Sequence, residues 1–172
     1  MDNIDVDYAE EKGLKVINTP ASSSQSVAEL VMAHLFNISR NVFDSNRNMP
    51  KNGETEFKVL KKKYAKGIEL RGKNLGIIGF GRIGQNTAKY ALGTGMNVIA
   101  YDPFIDEAKI ELNIAEQIIK VNISTTNIND LLEKSDFISL HVPMPKDGKP
   151  VIGSGEFKKM KDGVRIVNAA RA

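Results

Sequence analysis

Residues 75–84 read Leu-Gly-Ile-Ile-Gly-Phe-Gly-Arg-Ile-Gly, and Asp102 closes the next apolar run, Met96 to Tyr101, eighteen positions after the last of these glycines. A buried parallel strand ending at Ile78 delivers the chain into a tight turn at Gly79. Gly81 lets the main chain approach a pyrophosphate, and Gly84 lets the following helix pack closely on the sheet. The helix opening near Arg82 then offers unpaired backbone N–H groups, at the positive end of its dipole, to two phosphates. Asp102 is placed to accept hydrogen bonds from ribose hydroxyls. Its charge, followed by Pro103 and Phe104 rather than a basic residue, favours NAD over NADP. A glycine triplet alone also occurs in ordinary turns. Here strand, turn, helix, strand and terminal acid follow in order, so a dinucleotide site is the reading.

Working outward, the chain alternates strand and helix signals. Lys15–Asn18 is a strand candidate closed by Thr19-Pro20. Ser26-Val-Ala-Glu29 has capping-box spacing, and Val27, Leu30, Val31, His34, Leu35 and Ile38 form one apolar helical face, with His34 read as a core or interface residue. Ser45 to Gly53, with Pro50, reads as a break, and the polar, basic stretch to Gly72 as a helix or loop. After Asp102, residues 106–116 have helical composition. Gln117–Val121 reads as a strand, Asn127–Lys134 as a short helix and Phe137–Val142 as a buried strand stopped by Pro143 and Pro145. Ser154–Lys161 reads as a helix and Val164–Val167 as the last strand. This alternation implies an α/β fold with a parallel sheet and right-handed crossovers.

Composition narrows the class. At 172 residues, with 41% hydrophobic and 26% charged residues, the chain suits one soluble domain with a sizeable core. Without Cys it has no disulfide and no thiolate metal site. No apolar run approaches the roughly 20 residues that span a bilayer, and the acidic start is unlike a signal peptide. A cytoplasmic protein is the expectation, with no membrane partner. The net charge of +3 is a small excess. The one dense basic run, Lys58 to Lys66, carries a single aromatic residue and reads as a solvated face rather than a nucleic-acid site.

Several motifs then occur in one order: Asp2-Asn-Ile-Asp5, Asn18-Thr-Pro20, Ser26-Val-Ala-Glu29, Gly67-Ile-Glu-Leu-Arg-Gly-Lys73, the glycine motif, Tyr101-Asp-Pro103, Ser135-Asp-Phe-Ile-Ser-Leu-His-Val-Pro143, Met160-Lys-Asp-Gly163 and Asn168-Ala-Ala-Arg171. This series, covering nearly the whole chain, resembles the NAD-dependent D-2-hydroxyacid dehydrogenases, most closely their 3-phosphoglycerate-oxidising branch. The resemblance implies a doubly wound Rossmann sheet. Residues 1–20 would be a crossover from a substrate domain, and residues 21–172 a cofactor domain without the complete substrate domain. It further implies that Arg82 and Ile83 give backbone donors to the pyrophosphate and that Asp102 holds the ribose. His141, Val142 and Pro143 would line the adenine and ribose side, and Ala169 would touch the nicotinamide half. Arg171 matches the catalytic arginine, whose planar fork fixes a substrate carboxylate in orientation as well as charge. Read from its neighbours alone, His141 is a packed, hydrogen-bonded histidine rather than a proton shuttle.

Departures from the family bear on activity. The family's reaction also uses a glutamate and a histidine beyond that arginine, whereas both histidines here precede Arg171, and Ala172 stands where a glycine usually follows. The expectation is a cofactor domain that binds NAD and is inactive alone. The whole protein would be a dehydrogenase of 3-phosphoglycerate in serine biosynthesis. A glyoxylate or hydroxypyruvate reductase and a non-enzymatic, NAD-sensing corepressor-like scaffold are the alternatives. The long helix from Ser26 resembles the dimer-forming part of such domains, so a homodimer is expected.

Overall fold

The computed structural model describes residues 4–19, 21–145 and 148–170. Its centre is a four-stranded, all-parallel sheet in the order β2 (Asn97–Tyr101), β1 (Asn74–Ile78), β5 (Phe137–Leu140), β6 (Arg165–Asn168). The order reverses at β1: the chain passes from it to β2 on one side and later returns to β5 on the other. Such a switch point leaves a crevice outside the carboxyl ends of the strands. The strands are short and apolar because both faces are covered, as parallel sheets require. Leu75, Ile77 and Phe137 face one side, packed with Val31, Met32 and Leu35 of α2 (Ser24–Arg40) and Ala88 and Ala91 of α4 (Arg82–Gly93). Ile78, Ile138 and Leu140 face the other, against Leu131 and Leu132 of α5 (Ile128–Lys134), near the short α6 (Ser154–Phe157). This is the doubly wound arrangement expected.

Four expectations are corrected. Residues 106–116 are not helical: β3 (Glu107–Ile114) and β4 (Gln117–Ser124) form an antiparallel hairpin outside the main sheet. Alternation decides it. Ala108, Ile110 and Leu112 sit opposite Ile123, Val121 and Ile119 on one face, while Glu107, Lys109 and Glu111 point away. Ile110 and Ile123 are buried in the α2/α4 core. The hairpin turns through Ala115 at φ 53°, a conformation more usual for glycine.

The break proposed at Ser45–Gly53 is also absent, because α3 runs from Val42 to Tyr64 through Pro50. Its non-helical residue is Glu56 (φ −117°, ψ 18°), where the chain doubles back. Straight, the span from Asp44 to Lys63 would be roughly 30 Å. Instead Lys63 Nζ lies 2.6 Å from Asp44 Oδ2, and the Tyr64 hydroxyl donates to the same oxygen at 2.9 Å. The basic run falls in the second arm of this bend. Residues 15–18 form no strand; before them is α1 (Val6–Glu11), capped by Asp5, whose carboxylate accepts from Tyr8 N–H at 3.0 Å.

Finally, α2 begins at Ser24, and its buried stripe is Ser24, Ala28, Val31, Met32, Leu35 and Ser39. The stripe is rotated from the one expected, leaving Leu30 and His34 exposed. Glu29 makes no capping box; it accepts hydrogen bonds from the Tyr90 hydroxyl and the Gln25 amide.

Candidate functional site

The crevice is built first by backbone. Gly79 leaves β1 at φ 92°, which an L side chain rarely adopts. A Cβ there would also lie 2.7 Å from Val142 Cγ1 and 2.9 Å from the main chain of His141, so the turn and the segment after β5 touch directly. Gly84 is required for a different reason. Its Cβ would sit 2.2 Å from the Gly79 carbonyl oxygen, so only glycine lets α4 start this close under the turn. Gly81 is different again. It is the N-cap of α4, it has no side-chain cap, and a Cβ on it would meet nothing within 4 Å. The first bond of the helix is Gln85 N–H to Gly81 O at 2.9 Å, so the N–H groups of Arg82 and Ile83 precede the intrahelical ladder. Open space and free donors at the positive end of a dipole make a pocket for an anion.

Asp102 follows β2 and faces the same turn. Its Oδ2 accepts from Phe80 N–H at 2.7 Å and its Oδ1 from Phe104 N–H at 2.8 Å. Each oxygen keeps a further lone pair for a hydroxyl donor, and the two backbone bonds fix the plane of the carboxylate. The Gly79 N–H bonds the Tyr101 carbonyl at 2.9 Å, completing the link between turn and acid. The sequence pointed to Asp102 but not to Phe80 N–H as its orienting partner, since any non-proline residue can donate that bond.

Beyond β5, His141 N–H donates to Ile78 O at 2.8 Å, holding this segment beside the turn. The His141 ring is packed, as its apolar neighbours implied: Nε2 lies 2.9 Å from Ser139 Oγ and 3.4 Å from Thr87 Oγ1. Burial pushes its pKa down to about 4, so it is neutral at pH 7. His34 is exposed on α2. Ser139 and Thr87 were not singled out from the sequence. The available signal was Ser139-Leu-His141, two polar residues on one face of a buried strand.

Val142 and Pro143 help line a cavity of about 330 Å³ past the ends of β5 and β6, together with Leu140, Ile166, Asn168 and Ala170. Ala169 turns the other way and packs against the α2/α4 core. Arg171 lies outside the described residues. The structure thus gathers Gly79, Gly81, Arg82, Ile83, Gly84, Asp102, His141 and Val142 around one crevice, with Pro143 in the lining of the cavity that Val142 shares. Among the described residues no helix is long and apolar enough to cross a membrane.

Known proteins share both pattern and fold. Residues 32–172 match the family described as D-isomer specific 2-hydroxyacid dehydrogenase, NAD binding domain. The chain is 46% identical to a hydroxypyruvate reductase of Thermotoga maritima over 99% of its own length and 50% of that protein. It is 43% identical to a D-3-phosphoglycerate dehydrogenase of Methanocaldococcus jannaschii, again over 99% of itself and 30% of that protein. It therefore spans half or less of the length of these relatives. Among solved structures, the D-lactate dehydrogenase of Lactobacillus jensenii with NAD+ superposes with a TM-score of 0.74 at 28% identity, over all of this chain and 48% of that one. With that fold, that glycine turn and those matches, the chain belongs to the D-isomer specific 2-hydroxyacid dehydrogenases and carries their NAD-binding domain.

Proposed function

We propose that this domain holds NAD with its pyrophosphate over the N–H groups of Arg82 and Ile83 and a ribose on Asp102, and that it serves hydride transfer to or from a D-2-hydroxyacid. The observation that carries the reading is the uncapped, open start of α4 at Gly81 facing an acid whose carboxylate plane is already fixed by Phe80 and Phe104. His141, Val142 and Pro143 would flank the adenine and ribose half, and Ala169 the nicotinamide half. Arg171 would grip the substrate carboxylate and place C2 against the nicotinamide. Neither histidine suits the proton transfer: the His141 Nε2 is engaged, and His34 is on the outer side of α2. Residues 1–20 would then be the crossover and 21–172 the cofactor domain.

For the substrate, 3-phosphoglycerate is our first reading, supported by the similarity to phosphoglycerate dehydrogenases. Hydroxypyruvate is the second, favoured by the higher identity to the Thermotoga maritima reductase. Both fit a nicotinamide-dependent enzyme better than a corepressor-like scaffold. Assay of the whole protein with each substrate separates them by kcat/KM. A two-fold dimer is part of the proposal, since Leu30 and Phe36 of α2 and Val42 and Phe43 of α3 present exposed apolar side chains. Sedimentation at falling concentration tests it, and a monomer throughout would remove it.

The direct test of the site is titration with NADH, followed by nicotinamide fluorescence, on the chain and on Asp102→Ala. Saturable binding weakened about tenfold or more in the variant is expected, as for loss of charge-assisted hydrogen bonds. Equal binding by both would place the ribose elsewhere.

A further inference from the structure

The ring of His141 joins the two elements that form the crevice walls, and its surroundings dictate its tautomer. Thr87, in α4, and Ser139, in β5, are both fully buried. Thr87 Oγ1 donates its one proton to the Ile83 carbonyl at 2.9 Å, so toward the ring it can only accept. If Nε2 carries the proton, that N–H is directed to Ser139 Oγ at 2.9 Å, with Thr87 Oγ1 at 3.4 Å as a second acceptor. Left over are then Nδ1, buried and without a partner as a bare lone pair, and the Ser139 hydroxyl proton, for which Ser139 makes no other side-chain hydrogen bond among the described residues. If instead Nδ1 carries the proton, a buried N–H has no acceptor, and the Nε2 lone pair faces that of Thr87. Each tautomer leaves one buried donor unmatched, so the deciding contact is Thr87 Oγ1, an obligate acceptor that can bond Nε2–H and opposes a bare Nε2 lone pair.

Position gives the ring its task. Thr87 lies one turn along α4 from Ile83, whose N–H is among the free donors and whose carbonyl Thr87 holds. Ser139 and His141 lie at the carboxyl end of β5, and the His141 backbone packs on Gly79. We propose that His141, as the neutral Nε2–H tautomer, is a positioning residue for the dinucleotide: it ties α4 through Thr87 to β5 through Ser139 and so sets the start of α4 against the segment after β5. It needs no contact with NAD to do this. The inference rests on the pyrophosphate lying at the start of α4.

The test is NADH affinity by fluorescence titration for the wild type, His141→Gln, His141→Asn, His141→Leu and Thr87→Val, with circular dichroism to show that each is folded. The histidine ring of the wild type is followed by two-bond ¹H–¹⁵N spectra. A glutamine amide can place a donor where Nε2–H was, whereas an asparagine amide reaches only the Nδ1 position. The expected result is an Nε2–H ring at pH 7, near-native affinity in His141→Gln, and about tenfold weaker binding in His141→Asn and His141→Leu. Thr87→Val, which removes the acceptor and keeps the shape, weakens binding in the same direction even if the histidine variants do not fold. An Nδ1–H ring, or folded Gln and Leu variants of equal affinity, overturns the proposal. If Asp102→Ala and Arg82→Asp also leave binding unchanged, the site placement itself is wrong; if those two weaken binding while Gln and Leu stay equal, only the role of His141 falls.

Discussion

The turn at residues 78–84 and the hairpin at residues 107–124 are contrasting neighbours of the same helix, α4. In the turn, backbone atoms stand where side chains would be: the Gly79 carbonyl oxygen fills the place of a Cβ on Gly84, and Gly79 is closed off by both its φ of 92° and the main chain of His141. In the hairpin, no such exclusion operates. Its place is set by a few isoleucines that pack on the α2/α4 core, and its turn uses an alanine in a glycine-like conformation. Structure imposed by exclusion tolerates one residue type, while structure imposed by burial tolerates many.

Breaking the turn should therefore cost most. Gly84→Val places two methyl groups beyond a Cβ that already has no room, and a loss of more than about 3 kcal/mol in urea unfolding is expected. A fully stable variant would mean that α4 can slide away from the sheet. Next comes the buried histidine beside the turn. Its folded pKa of about 4 lies below the ordinary histidine value of 6.5. Between those values the unfolded chain binds the extra proton, so the contribution is full above pH 6.5 and is lost as pH falls toward 4. It amounts to about 3 kcal/mol. Urea midpoints from pH 7 to 4.5 should fall more steeply for the wild type than for His141→Gln; parallel curves would show that the ring is not buried as described.

Within the hairpin the alternation itself can be tested. Ile110 is 4% exposed and Ile118 is 61% exposed. Ile110→Ala should cost about 2 kcal/mol and Ile118→Ala less than about 0.5 kcal/mol. Similar losses at both would contradict the register. The smallest effect carries the sharpest sign. Ala115→Gly relieves a left-handed residue and should stabilise the hairpin by about 0.5 kcal/mol, whereas in a helix the same change destabilises by about 1 kcal/mol. A lower melting temperature for that variant would favour the helix that composition suggests.

This contrast also explains what could be read in advance. The glycines and Asp102 were legible because each answers to a local requirement that few residues meet. The strands β1, β2, β5 and β6 were legible because short apolar runs bounded by turns have few alternatives in an α/β chain. Residues 106–116 were misjudged because Glu, Ala, Lys and Leu favour helices, while their alternating burial depends on a partner strand further along. The bend of α3 was hidden because Pro50 and Gly53, the residues that signal breaks, are accommodated within the helix. The turn at Glu56 instead brings Asp44 against Lys63 and Tyr64, partners 19 and 20 residues away that no local signal announces. His141 was recognised as packed, but the proton count that fixes its tautomer needed Thr87, distant in sequence.

The placing of α2 sets an order of events during synthesis. This helix precedes every strand of the main sheet, yet its Val31, Met32 and Leu35 share one core with Phe137 of β5 and Val167 of β6. As the chain leaves the ribosome, α2 can coil early, but its apolar stripe lacks part of the surface it covers until β6 emerges. Between those moments the stripe is exposed to chaperones and to neighbouring chains. Within this domain α2 is thus made before the strands it covers and is fully seated only once β6 completes the core around it.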